Sequence, residues 1–73
     1  MRSLGEERIR TSFNPSGDNL VDQIKQKSAE LVDLCAERES LTNAGEEIRL
    51  WRLAMTAYEE AAMWATKAAT AGK

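Results

Sequence analysis

From Leu20 onward, apolar residues recur along this chain at intervals of three and four, the period of a helix. Val21, Ile24, Ser28, Leu31 and Cys35 follow at steps of 3, 4, 3 and 4, and Leu20, Val32 and Leu34 widen that line. Asp22, Lys25, Gln26, Glu30, Asp33 and Glu37 occupy the other side. The pattern predicts a helix over about 19–40. Before it, Asn14-Pro15-Ser16-Gly17-Asp18-Asn19 gathers turn and cap residues. Pro15 fixes its own φ and pushes Asn14 out of helical geometry, and Ser16, Asp18 or Asn19 can cap the helix behind it. Residues 1–13 are mixed and charged and read as a tail or an extended arm, which leaves 14–73 as the folded part. Thr42-Asn43-Ala44-Gly45 breaks the first helix. Asn43, three residues before Glu46, resembles a capping box, and Glu46 and Glu47 suit the positive end of a helix over about 44–70.

The second helix carries two apolar lines where a helix with one partner needs one. Ile48, Trp51, Met55, Tyr58, Ala62, Ala65 and Ala69 form the first, and Leu50, Ala54, Ala57, Ala61, Trp64 and Ala68 the second. Seven alanines between positions 54 and 69 allow neighbouring helices to come close. At 1.5 Å per residue this is a rod of roughly 35–40 Å. The expected fold is all-α, a two-helix antiparallel hairpin whose second helix also packs on other copies of the chain.

Composition supports assembly. With 73 residues the chain is one domain and buries little surface, so it needs a staple. One cysteine forms no internal disulfide, and the absence of histidine removes the usual zinc sites. Oligomerisation is the staple that is left. The same counts exclude Ser-His-Asp and Cys-His catalysis. A net charge of −2 disfavours DNA or RNA polymers as partners. MRSLGEERIR contains no apolar core of signal-peptide length, and no run reaches the roughly 18 apolar residues of a membrane span. A single Cys35, placed on the apolar line as inert core, fits a cytoplasmic protein. No cofactor or metal is expected.

Few residues carry candidate chemistry. Lys25 and Lys27 flank the first apolar line, either as surface lysines paired with Asp22 and Glu30 or as phosphate contacts. Phe13, just before the Asn-Pro turn, is either a hydrophobic staple or a platform on which a base stacks beside a helix start. Lys67 either complements the negative end of its helix or, where such ends converge about a symmetry axis, helps to form an anion site. Trp51, Tyr58, Met63 and Trp64 read as core or interface. Glu59 and Glu60 point about 100° apart on a helix and do not make a catalytic pair.

Two segments carry a resemblance. Ser12-Phe13-Asn14-Pro15-Ser16-Gly17 with Val21-Asp22-Gln23-Ile24-Lys25, and Tyr58-Glu59-Glu60-Ala61-Ala62-Met63-Trp64-Ala65-Thr66-Lys67-Ala68-Ala69-Thr70, resemble the helical hairpin of phage cyclic-nucleotide sponges. That family includes anti-CBASS sponges of the second type and the hairpin part of the first Thoeris anti-defence sponge. The resemblance covers roughly residues 12–70. It implies a phage-encoded protein in the cytoplasm of the infected bacterial host. Such a protein binds cyclic oligonucleotide or cyclic ADP-ribose-type immune signals, cGAMP among them, without degrading them. It also implies a hexamer, a trimer of dimers, with two kinds of pocket. Phe13, Asn14, Gln23, Lys25 and Lys27 then belong to a dimer-interface site for cyclic dinucleotides, with Arg10 as a neighbour. Thr66, Lys67 and Ala69 belong to a site on the threefold axis for cyclic trinucleotides, where Lys67 stands in place of the family's frequent arginine. The rival reading is a small coiled-coil adaptor without a nucleotide ligand. An enzyme such as a phosphodiesterase has no metal-ligand cluster or histidine to support it.

Overall fold

The computed structural model describes residues 3–9 and 19–71, with the side chains of Glu6, Glu7 and Ile9 outside that description. Among the described residues every regular element is a helix: α1 (Leu4–Ile9), α2 (Asn19–Ser40) and α3 (Gly45–Thr70). α2 and α3 form the hairpin and hold the expected bounds to within a residue. Phe13, Asn14, Arg10 and the turn through Pro15 lie outside the described residues.

The hairpin is closed by Leu41 to Ala44. Leu41 and Thr42 donate their N–H groups to the Arg38 and Glu39 carbonyls at 3.1 and 3.4 Å, which ends α2 in a tight turn. The expected Asn43–Glu46 capping box does not form. The N-cap is Ala44, in extended geometry and without a side-chain cap. Thr42 takes over from outside the helix: its hydroxyl accepts the Ala44 N–H at 3.1 Å and donates to Glu47 at 3.2 Å. Asn43 loses the role because the helix begins one residue later than a box on Asn43 requires. Arg52 then donates to both carboxylate oxygens of Glu39 at 3.1 and 3.3 Å, tying α3 to α2 beside the turn.

The core lies between the long helices and is thin. Ala29, Val32 and Cys35 of α2 meet Met55 and Ala62 of α3, bordered by Ala36, Trp51, Ala54 and Tyr58. Every residue of the first α3 line is buried or half-buried, as its spacing predicts. On α2 the expected line holds at Val21, Val32 and Cys35, which are buried. Ala29 is buried in place of Ser28, while Leu20, Leu31 and Leu34 are exposed. α2 is wedged between α3 and α1, and the middle of its buried surface falls on Ala29 and Val32.

α1 replaces part of the expected arm. Six residues do not hold a helix in water alone, so its stability is tertiary. The Gly5 N–H donates to Asp33 Oδ1 at 2.5 Å. A Cβ on Gly5 would lie 2.0 Å from the Ala29 carbonyl oxygen, so only glycine permits this crossing. Arg8 pairs with Glu59 and places Nη1 3.5 Å from the Met55 sulfur, which fastens the other end of α1 to α3. The molecule is a slab of 45 × 25 × 12 Å. Its radius of gyration is 13.4 Å, against about 11 Å for a compact chain of this length.

Candidate functional site

α2 and α3 run in opposite directions, so the first turns of α2 lie beside the last turns of α3. A groove of about 460 Å³ opens there, closed on one side by α1. Lys25 borders it from α2, Arg8 from α1, and Glu59, Ala62, Met63, Thr66 and Lys67 from α3. Among the described residues the lining carries three cations against one carboxylate, over an apolar floor of Ala62 and Met63. A surface of that kind attracts an anion with an apolar body.

The structure divides the residues nominated from sequence. Residues i and i+2 of a helix lie about 200° apart, whereas i and i+4 share a face. Lys25 accordingly turns toward α3, while Gln23 and Lys27 share a shallower depression of about 360 Å³ with Asp22, Gln26 and Glu30. Gln26 donates to Glu30 across that face at 3.3 Å. Thr66 and Lys67 line the same groove as Lys25. Ala69 is half-buried and does not line it.

Local contacts fix the groove's walls. Lys67 Nζ sits 5.2 Å above the Trp64 ring, a cation–π contact that presents the ammonium on the last turns of α3. The Trp64 indole N–H faces Glu60 Oε1 at 3.4 Å. Glu59 and Glu60 diverge as helical spacing requires, Glu59 to Arg8 and Glu60 to Trp64. Thr70 donates back to the Thr66 and Lys67 carbonyls at 3.0 and 3.3 Å, satisfying acceptors at the helix end.

Arg8, Glu59 and Met63 are groove residues that the sequence did not nominate. Arg8 sits in a charged stretch with no visible period, and its role depends on a helix that forms only when docked. Cys35 is buried away from the groove, and burial pushes its thiol up from the ordinary value of 9.0, which suits an inert core group. Among the described residues, no cluster of three or more His, Cys, Asp or Glu is placed to hold a metal ion. No helix among them is long and apolar enough to cross a membrane.

No curated protein and no solved structure matches this chain. The family model described as the Acb2/Tad1 hairpin domain matches residues 5–70, which takes in all of α2 and α3 and most of α1. A hairpin family of that description fits a phage anti-defence sponge, a binding protein rather than an enzyme. The match spans nearly the whole sequence, and the chain belongs to the Acb2/Tad1 hairpin family.

Proposed function

We propose that this protein is a phage-encoded sponge that acts in the cytoplasm of the infected bacterial host. It binds cyclic oligonucleotide or cyclic ADP-ribose-type immune signals and holds them intact, so that CBASS- or Thoeris-type effectors are starved of activator. The observation that carries the reading is the groove where Lys25, Thr66 and Lys67 come together from opposite ends of the sequence. Small cyclic nucleotides carry two or three phosphate charges, so local cations suffice and the chain's net charge of −2 is no obstacle.

On the resemblance we extend this to two ligand sites in an assembly, with the groove lying where they adjoin and giving Lys25 to one and Thr66 and Lys67 to the other. Lys25, with Phe13, Asn14, Gln23 and Lys27, serves cyclic dinucleotides at a dimer interface. Thr66, Lys67 and Ala69 serve cyclic trinucleotides about a threefold axis. The assembly is a hexamer, a trimer of dimers. Support for assembly comes from the exposed apolar lines. Leu50 and Trp64 on α3 are 52% and 57% exposed, and Leu20 and Leu34 on α2 are each 52% exposed. A core of this size leaves a lone chain marginal, and such surfaces are ordinarily covered. A coiled-coil adaptor accounts for those lines equally well, but not for three cations gathered around one groove.

Native mass spectrometry against cyclic di- and trinucleotides and cyclic ADP-ribose isomers tests the reading. The expected result is a hexamer carrying integral numbers of ligand, with ligand recovered chemically intact after denaturation. A bare oligomer across the panel overturns the sponge in favour of the adaptor. A linear product overturns it in favour of hydrolysis.

A further inference from the structure

We infer that Arg8 is a phosphate-contact residue of the groove, and that Glu59 holds it in reserve until an anion enters. The inference rests on the sponge reading above and adds to it a pair of residues that neither proposed site includes by name.

The geometry of the pair supports exchange. Arg8 Nε pairs with Glu59 Oε1, and Nη1 faces the Met55 sulfur, a weak acceptor. The two side chains are 32% and 29% exposed, so the ion pair is neither sealed from water nor locked by burial. Pairs of that kind hold weakly and exchange readily. Both members border the groove with Lys25 and Lys67. Among the described lining residues, a phosphodiester entering there meets the Lys25 and Lys67 ammonium groups and is opposed by the Glu59 carboxylate. The guanidinium's planar fork matches two phosphate oxygens, which a carboxylate cannot outmatch once the phosphate is also held by the lysines. Turning Arg8 from Glu59 to the phosphate replaces one anion by another, and the freed Glu59 can face solvent. The exchange needs only side-chain rotation, because Gly5 pins α1 to Asp33 and Ala29 independently of Arg8. The ligand class this favours is a phosphate ester with at least two negative charges, since a single weak anion gains too little to displace Glu59.

The test uses Glu59→Gln, Arg8→Gln and Arg8→Lys in the full chain, titrated by calorimetry with cyclic GMP-AMP and separately with inorganic pyrophosphate. Glu59→Gln removes the competitor and is expected to tighten both probes by about threefold or more. Arg8→Gln is expected to weaken both about tenfold, with Arg8→Lys in between because it keeps the charge and loses the fork. A pair that merely anchors α1 moves binding in the same direction whichever partner is removed. Changes of the same sign, or no change with either probe, therefore overturn the inference. Pyrophosphate binding in the expected order without any response to the cyclic nucleotide leaves Arg8 assigned and removes the sponge reading instead. Should Arg8→Gln lose its helicity, the opposition between Glu59→Gln and Arg8→Lys decides the matter.

Discussion

The two apolar lines of α3 share a period and much of their composition, yet they meet opposite fates. Trp51, Met55, Tyr58 and Ala62 face α2, and Met55 and Ala62 are buried there. Leu50, Ala57, Ala61, Trp64 and Ala68 are exposed. Even the local supports match: each tryptophan donates its indole N–H to a glutamate four residues earlier, Trp51 to Glu47 and Trp64 to Glu60. The difference is therefore not written in α3. It comes from α2, which offers Ala29, Val32, Cys35 and Ala36 to one line and reaches only Ala54 of the other. The lesson is that a helix with two equivalent apolar lines is a wall between two compartments, one filled by its own chain and one that its own chain leaves open.

Breaking the inner side has the largest effect. Met55→Ala removes a buried side chain from the middle of a thin core and should cost about 2–5 kcal/mol, read by urea unfolding followed by circular dichroism. Gly5→Ala drives a methyl into the Ala29 backbone, and overpacking of that kind costs about 1–3 kcal/mol. Its signature is local: amide exchange should lose protection over residues 4–9 while the hairpin keeps its own. A smaller effect comes with pH. Burial raises the Cys35 thiol above its ordinary value of 9.0, so folding favours the neutral form. That contribution is complete below the unfolded-state value and is lost as pH rises through the folded one. The stability difference between wild type and Cys35→Ala should therefore shrink from pH 8 to pH 11 in paired urea titrations. The outer line gives the smallest intrachain effect. Leu50→Gln should change the stability of the isolated chain by no more than about 0.5 kcal/mol, yet lower the oligomer mass in sedimentation. A Leu50→Gln loss as large as that of Met55→Ala would erase the distinction between the two sides.

The same physics governs how much of the molecule was legible in its sequence. The inner line of α3 and the bounds of both long helices were legible because long periodic segments overdetermine their own phase. α2 was legible in part: Val21, Val32 and Cys35 are buried as the spacing expects, but its apolar residues spread around the helix and leave Leu20, Leu31 and Leu34 exposed. Periodicity favours Ser28 where packing takes Ala29, and that choice depends on a glycine 24 positions earlier. α1 was illegible for a related reason: six charged-rich residues with an internal glycine have no helical tendency until Asp33 and Glu59 hold them. The groove inherits this. Lys25, Thr66 and Lys67 were nominated individually, but their meeting in one place is a property of the antiparallel hairpin, and Arg8 arrives only with α1.

The slab's 12 Å thickness sets how such a protein can vary over generations. In a molecule of one helix layer, the residue that fills the interior and the residue that meets the outside are separated by one step along the same helix. A change in the groove at Thr66 or Lys67 is thus adjacent to Ala62 and Ala65, and a change that repairs packing is adjacent to the groove. Adaptation and upkeep compete for the same short list of positions. Neutral drift is freest at polar positions such as those beside the turn, where Arg49 and Glu46 pair in open solvent and hold little stability.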